Sequence, residues 1–248
     1  MTAIYLISPP KIDEKTFYNK LEELLSTGLV ANFQLRLKDS NNNQPSNAEI
    51  ARILAKILPI CRKNNVCLTL NDNIELALEL TEGLACDGLN SKDLHLDGGL
   101  HLGGEDLQQL VTASNNKENP KYLHCNSIIK NLKEKIAIGN IKLGVSCYDS
   151  QELAHFANSF GAEIISFGAF FPTQTKIAKA KPHPSIISWA KQEFPTKKIT
   201  AIGGIDANNI SLLPCHDLDY IAIIGTIWQA ESPLQSLITI SKSLKRIS

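Results

Sequence analysis

Short apolar runs alternate with longer segments in which apolar residues recur every three to four positions, and this alternation repeats from one end of the chain to the other. The short runs predict strands at 3–7, 30–35, 66–70, 141–145, 163–167, 199–202 and 220–224, with a weak one at 100–102. Between them, helical periodicity covers 14–26, 48–63, 74–79, 107–112, 150–159, 184–193, 207–212 and 233–244. Strands alternating with helices in this way indicate a parallel sheet with crossover helices. Eight such units predict a closed (β/α)8 TIM barrel, one α/β domain over residues 1–248. Two stretches resist the pattern. Residues 81–99 are glycine-rich and end in DLHLDGG, which the following LHLGGED nearly repeats, and residues 114–135 are rich in Asn and Lys, with a helix indicated only near 127–135. Both read as insertions or mobile loops around the fourth βα unit.

Composition narrows the partners. The 25 basic and 25 acidic side chains cancel, which removes the long-range attraction that nucleic acid or an anionic membrane would reward. Any anion must be handled locally. No apolar run approaches the roughly 20 residues needed to span a bilayer. The start, Met1 to Ser8 followed by Pro9 and Pro10, lacks the pattern of a secretory signal, so a cytoplasmic location is expected. The six cysteines, Cys61, Cys67, Cys86, Cys125, Cys147 and Cys215, have no C-x-x-C spacing and read as reduced thiols rather than a disulfide framework or zinc site.

In a barrel of this kind the chemistry sits at the carboxyl ends of the strands, and several predicted strands end there in polar residues or glycine. Along FQLRLKD, period-two geometry puts Gln34, Arg36 and Lys38 on one side and Leu35 and Leu37 on the other. They form either an anion clamp inside the barrel or a solvated strand end. Asn71 and Asp72 follow the third strand, and Asp72 is either the N-cap of the next helix or a metal ligand joined by Glu105 or Asp106. Thr173, Thr175 and Lys176 lie around a turn after the sixth strand and could hold phosphate oxygens. Gly203, Gly204 and Gly225 end the seventh and eighth strands, the usual phosphate site of this fold. Ser146 has no histidine beside it in sequence, so it reads as a ligand contact or a cap rather than a nucleophile. His95 and His101 read as structural or exposed, and Cys147 as an inert core thiol.

Taken in order, FQLRLKD, LND followed by IELAL, LHLGGED, GVS, FGAFFPTQTK, AIGGI and IIGTIW resemble the thiamine phosphate synthase family, from Tyr5 to Trp228. That resemblance implies a transferase joining hydroxymethylpyrimidine diphosphate to hydroxyethylthiazole phosphate, releasing diphosphate, with Mg²⁺ as cofactor. It places Gln34, Arg36, Lys38, Asn71, Ser146 and Lys176 at the pyrimidine diphosphate, with Arg36, Lys38 and Lys176 acting on the leaving group. Asp72 and Asp106 would hold Mg²⁺, and Thr173, Thr175, Gly204, Ile224 and Gly225 the thiazole phosphate.

The chain departs from the family pattern where HLGQED is usual, having Gly104 in place of the glutamine, and at Gly225, where serine is common. The spacings from Asp72 to Asp106 and from Asp106 to Ser146 are longer than in the family, which brings Asp97 in as a rival of Asp106. Two other readings stand beside the transferase. A thiazole tautomerase on the same scaffold would need a histidine just after the fifth strand, where this chain has Tyr148. A non-catalytic binder of phosphorylated ligands would account for the altered GGED segment.

Overall fold

All eight predicted strands form. A computed structural model describes residues 2–38, 43–82, 99–173 and 180–247. The strands are β1 Ala3–Ile7, β2 Val30–Leu35, β3 Cys67–Asn71, β4 Gly99–Gly103, β5 Lys142–Tyr148, β6 Ile164–Phe167, β7 Lys198–Ile202 and β8 Tyr220–Ile223. They pair in parallel in chain order, and β8 returns to β1 with Ala3 opposite Tyr220, closing the barrel. The helices are α1 Phe17–Ser26, α2 Asn47–Lys63, α3 Ile74–Glu82, α4 Gly104–Asn115, α5 Tyr122–Ala137, α6 Gln151–Phe160, α7 Ser185–Glu193, the short α8 Gly225–Trp228 and α9 Pro233–Ile247.

The alternation within each strand decides which side chains face which layer. Leu6, Phe33, Leu35, Leu68, Leu70, Leu100, Leu102, Leu143, Val145, Ile165, Ile199 and Ile221 pack outward with the buried stripes of the helices in one continuous core. Leu21, Leu24 and Leu25 of α1, Ile53, Leu54 and Ile57 of α2, and Leu237, Ile240 and Leu244 of α9 supply those stripes at helical spacing. The residues between face inward. On β8 and β1 they are apolar, a small cluster of Tyr5, Ile7 and Ala222. On the opposite arc they are polar yet buried: Asn32, Gln34, Thr69, His101, Ser166 and Thr200. Polar groups placed inside a barrel must find partners or ligands, and of this arc Gln34, His101, Ser166 and Thr200 line a cavity at the carboxyl ends of the strands.

Three expectations change. Residues 114–135 are not a loop: α4 runs on to Asn115, and α5 occupies Tyr122–Ala137, burying Cys125, Ile129 and Leu132. The helix expected at 207–212 shrinks to a single tight turn, Ile210–Leu212. The N-cap of α3 is Asn73 rather than Asp72, because Asn73 Oδ1 accepts the Leu76 N–H at 3.0 Å while Asn73 Nδ2 donates to Asn47 at 2.7 Å. Of the other unsettled stretch, 81–99, only its ends are described: Thr81 and Glu82 close α3, and Gly99 opens β4. His95, Asp97 and Cys86 lie outside the described residues, as do Thr175 and Lys176.

Candidate active site

Two adjoining cavities open at the carboxyl ends of the strands. The first, of about 280 Å³, is lined by Gln34, Arg36 and Lys38 at the end of β2, Asn71 and Asp72 after β3, His101, Gly103 and Asp106 around β4, Ser146 and Tyr148 of β5, and Thr173. The second, of about 400 Å³, is lined by Pro172, Thr173, the segment from Ile202 to Asp206, and the turn from Ile224 to Thr226. Thr173, Ile202, Gly203, Ala222 and Ile224 belong to both walls, so ligands in the two cavities would meet across them.

Gln34, Arg36 and Lys38 of FQLRLKD all line the first cavity. Past the last ladder bond of β2, Ser8 Oγ accepts the Arg36 N–H at 2.9 Å and lies 3.1 Å from the Arg36 carbonyl, which keeps this stretch extended. Gln34 is buried and donates to Asn71 Oδ1 at 2.6 Å, joining β2 to β3. Lys38 Nζ lies 2.9 Å from Asp72 Oδ2. Arg36 Nη1 makes a 3.3 Å bond to the Lys38 carbonyl, and no carboxylate lies within 4.0 Å of its guanidinium among the described residues. Burial pulls the Arg36 pKa below its ordinary value, and nearby Asp72 opposes this. A desolvated cation without a close carboxylate is the arrangement an anionic ligand completes.

Because Asn73 caps α3, Asp72 is released from that duty. Its backbone is left-handed (φ 56°), its N–H donates to the His101 carbonyl at 2.9 Å, and its side chain lines the cavity. Asp106, in the first turn of α4, lines the same cavity, with its Oδ2 only 2.6 Å from where a Cβ on Gly103 would stand. Glycine at 103 therefore makes room for this carboxylate. At position 104 a Cβ would come within 2.8 Å of the Ser146 carbonyl, so the glycine that departs from HLGQED matches a close approach of α4 to β5. Among the described residues no three His, Cys, Asp or Glu side chains converge to hold a metal. Two carboxylates in one cavity suit Mg²⁺, which takes one or two carboxylates and completes its shell with substrate oxygens and water.

Ser146 does have a histidine beside it, contrary to expectation. His101 Nε2 lies 2.9 Å from Ser146 Oγ, while its Nδ1 edge packs on Gly144, where a Cβ would lie 2.5 Å away. His101 is buried and lines the cavity rather than lying exposed. The alternation of β4 carries the signal that finds it, since Leu100 and Leu102 face the helices and force His101 inward. Thr200, also missed, lines the cavity with a buried hydroxyl that has no hydrogen-bond partner among the described residues. Tyr148 lines the cavity at the place where the tautomerase reading requires an imidazole. Cys147 is fully buried, and burial pushes its thiol up to about 12, consistent with an inert thiol.

The second cavity has few charged side chains and much exposed backbone. Gly204 is left-handed (φ 62°), and Asn209 Nδ2 ties its carbonyl at 2.8 Å, fixing the peptide. Phe170 and Phe171 donate their N–H groups to the carbonyls of Ile202 and Gly203, at 3.1 and 3.0 Å, which clips the loop after β6 onto the end of β7. Ile224 precedes α8, whose first turn offers N–H groups without intrahelical acceptors. Thr226 Oγ1 is used structurally, donating to the Ile205 carbonyl at 2.7 Å, and Trp228 Nε1 anchors α8 to the Ile7 carbonyl at 2.7 Å.

Comparison with known proteins gives this geometry a lineage. The family model described as thiamine monophosphate synthase matches residues 4–227. The chain belongs to the thiamine monophosphate synthase family. It is an enzyme of thiamine biosynthesis, a transferase forming thiamine phosphate. It is 33% identical to the thiamine-phosphate synthase of Rhodospirillum centenum over 225 residues, 91% of this chain and 88% of that one. It is 33% identical to that of Pelagibacter ubique over 236 residues, 94% and 93% of the two chains. Among solved structures, the thiamine phosphate pyrophosphorylase from Pyrococcus furiosus superposes with a TM-score of 0.68 at 21% identity, covering 99% and 96% of the two chains. The orotidine 5'-monophosphate decarboxylase from Metallosphaera sedula reaches 0.58 at 15% identity over the whole of both chains, and at such identities the likeness is one of fold alone. No helix among the described residues is long and apolar enough to cross a membrane.

Proposed function

We propose that the first cavity binds hydroxymethylpyrimidine diphosphate with a divalent cation, and the second binds hydroxyethylthiazole phosphate. The observation that carries this reading is the adjacency of a cation- and carboxylate-lined cavity to a glycine-lined one across a shared wall. Arg36 and Lys38 take the diphosphate oxygens, and Lys176, outside the described residues, is assigned to the same anion by the family resemblance. Gln34, Asn71 and Ser146 meet polar atoms of the pyrimidine. Asp72 and Asp106 would hold Mg²⁺, which when bound supplies positive charge against the leaving diphosphate. Thr173, Thr175, Gly204, Ile224 and Gly225 hold the thiazole phosphate, the last three partly through backbone groups.

The chemistry asks for no protein nucleophile. The bond between the pyrimidine's methylene carbon and the diphosphate oxygen breaks, and the electron pair leaves with diphosphate. The methylene cation left behind is stabilised by the pyrimidine, and the thiazole nitrogen captures it with its lone pair. Arg36 and Lys38 stabilise the charge that develops on the leaving oxygen, and the shared wall holds the two rings in line. The whole reaction is suited to the cytoplasm, where both phosphorylated substrates would be available.

The test is isotopic. With the bridging oxygen of the pyrimidine diphosphate labelled by ¹⁸O, all label leaves in diphosphate if the carbon–oxygen bond breaks. Product formation should require both substrates. Turnover of the thiazole phosphate alone would instead support the tautomerase reading, and binding of both substrates without product would support the non-catalytic one.

A further inference from the structure

One ion pair joins two subsites of the proposed reaction. Lys38 Nζ lies 2.9 Å from Asp72 Oδ2, yet the reading above gives Lys38 to the diphosphate and Asp72 to the divalent cation. Neither partner can keep the pair and also give its full charge to its ligand. The surroundings sharpen this conflict. Arg36 adds a second positive charge to the cavity, Asp106 supplies the other carboxylate, and no group of three or more metal-ligating side chains is present among the described residues. A divalent cation arriving alone therefore meets a carboxylate already neutralised and two cationic side chains. Diphosphate changes the balance, because it offers Lys38 and Arg36 an anion of higher charge than Asp72 and brings oxygens of its own to the cation.

We propose that Lys38 is an exchange partner: it holds Asp72 in the free protein and passes to the diphosphate when that anion binds, releasing Asp72 to the divalent cation. The inference rests on Asp72 being a metal ligand. Metal and diphosphate then bind cooperatively, and by linkage each raises the affinity of the other by the same factor, typically about 5- to 150-fold. The exchange also keeps Asp72 oriented between turnovers, in its left-handed conformation beside the His101 carbonyl.

Mn²⁺, used in place of Mg²⁺, reports binding as the excess metal on the protein side in equilibrium dialysis, a readout that the Mn²⁺–diphosphate complex formed in free solution does not mimic. The wild type, Lys38→Met, Arg36→Met and Asp72→Asn are titrated with Mn²⁺ alone and with Mn²⁺ plus inorganic diphosphate, each variant first shown to melt cooperatively. Lys38→Met keeps the apolar stem and removes the charge that sits on Asp72, whereas Arg36→Met removes one positive charge from the same cavity without breaking that pair. The exchange predicts that Mn²⁺ alone binds Lys38→Met at least about fivefold more tightly than wild type. Arg36→Met should gain less, and the benefit of diphosphate should shrink most in Lys38→Met. Equal gains in the two variants, or none in Lys38→Met, would overturn the exchange. Asp72→Asn separates the two claims: if it binds Mn²⁺ with diphosphate as well as wild type does, the metal-ligand reading fails. If it loses that binding while Lys38→Met shows no gain, the exchange alone fails.

Discussion

Replacing Arg36 by methionine should separate the protein's activity from its stability. The guanidinium is partly desolvated, makes one long hydrogen bond of 3.3 Å to a backbone carbonyl, and has no carboxylate within 4.0 Å among the described residues. Losing that bond removes about 0.5–1.5 kcal/mol, and relief of the buried charge returns a similar amount, so the net change in folding free energy should stay within about 1 kcal/mol. Binding and catalysis should suffer far more. A charge-assisted bond to the diphosphate is worth about 1.5–3 kcal/mol, and a donor aimed at developing charge about 2.7–4 kcal/mol, so kcat/KM should fall by a factor on the order of 10²–10³. The assays are urea denaturation followed by circular dichroism and the rate of thiamine phosphate formation with both substrates varied. A variant destabilised by more than about 2 kcal/mol that keeps its kcat/KM would show that Arg36 serves the fold. In that case the first cavity would not be the diphosphate site.

Gly204→Ala should weaken the thiazole phosphate site, since its backbone is left-handed and a Cβ would collide with the Pro172 carbonyl. The expected signature is a rise in KM for the thiazole phosphate, together with a loss of about 1–3 kcal/mol of stability, measured by steady-state kinetics and urea denaturation. Asn73→Ala should cost about 1 kcal/mol through loss of the α3 cap while leaving the Mg²⁺ concentration for half-maximal rate unchanged, since Asn73 and not Asp72 caps α3. Stability should also decline in alkali. Burial holds the Cys61 and Cys147 thiols up to about 12 in the folded protein, against an ordinary 9, so only the unfolded chain ionises them as pH rises past 9. Their contribution is complete below about pH 9 and is lost between 9 and 12, at up to about 1.4 kcal/mol per thiol per pH unit. Cys61→Ala/Cys147→Ala should flatten that slope in denaturation measured across this range, and an unchanged slope would contradict the assignment.

The barrel was legible because its outward strand faces are almost wholly Leu, Ile, Val and Phe, and most strands are followed by a helix of matching period, β7 being followed only by the turn Ile210–Leu212. The inward polar face of β2 was legible for a related reason: in FQLRLKD the leucines mark the outward face and so place Gln34, Arg36 and Lys38 inside. The same logic applied to LHLG would have placed His101 inward, but the surrounding glycines masked so short a strand. Helix α5 was obscured by composition. Its buried face is only Cys125, Ile129 and Leu132, and the Asn and Lys around them resemble a solvated loop. Asp72 was ambiguous because sequence cannot say which of two adjacent residues caps a helix. The Asn73 bond to Leu76 decides that, and the tie from Asn73 to Asn47 depends on how α2 and α3 meet. The partnership of His101 with Ser146 likewise needed the register of β4 against β5, which pairs Gly103 with Ser146 and His101 with Gly144.

In the proposed reaction Asp72 serves the departing diphosphate through a divalent cation. Asn at position 72 keeps the shape and tolerates the left-handed backbone while losing the charge. The direct measurement is thiamine phosphate formation by Asp72→Asn across a range of Mg²⁺ concentrations, with both substrates saturating. The expected result is a folded protein whose rate falls by at least about 10³-fold and is not restored by added Mg²⁺. A rate within a few-fold of wild type, with the same Mg²⁺ dependence, would contradict it.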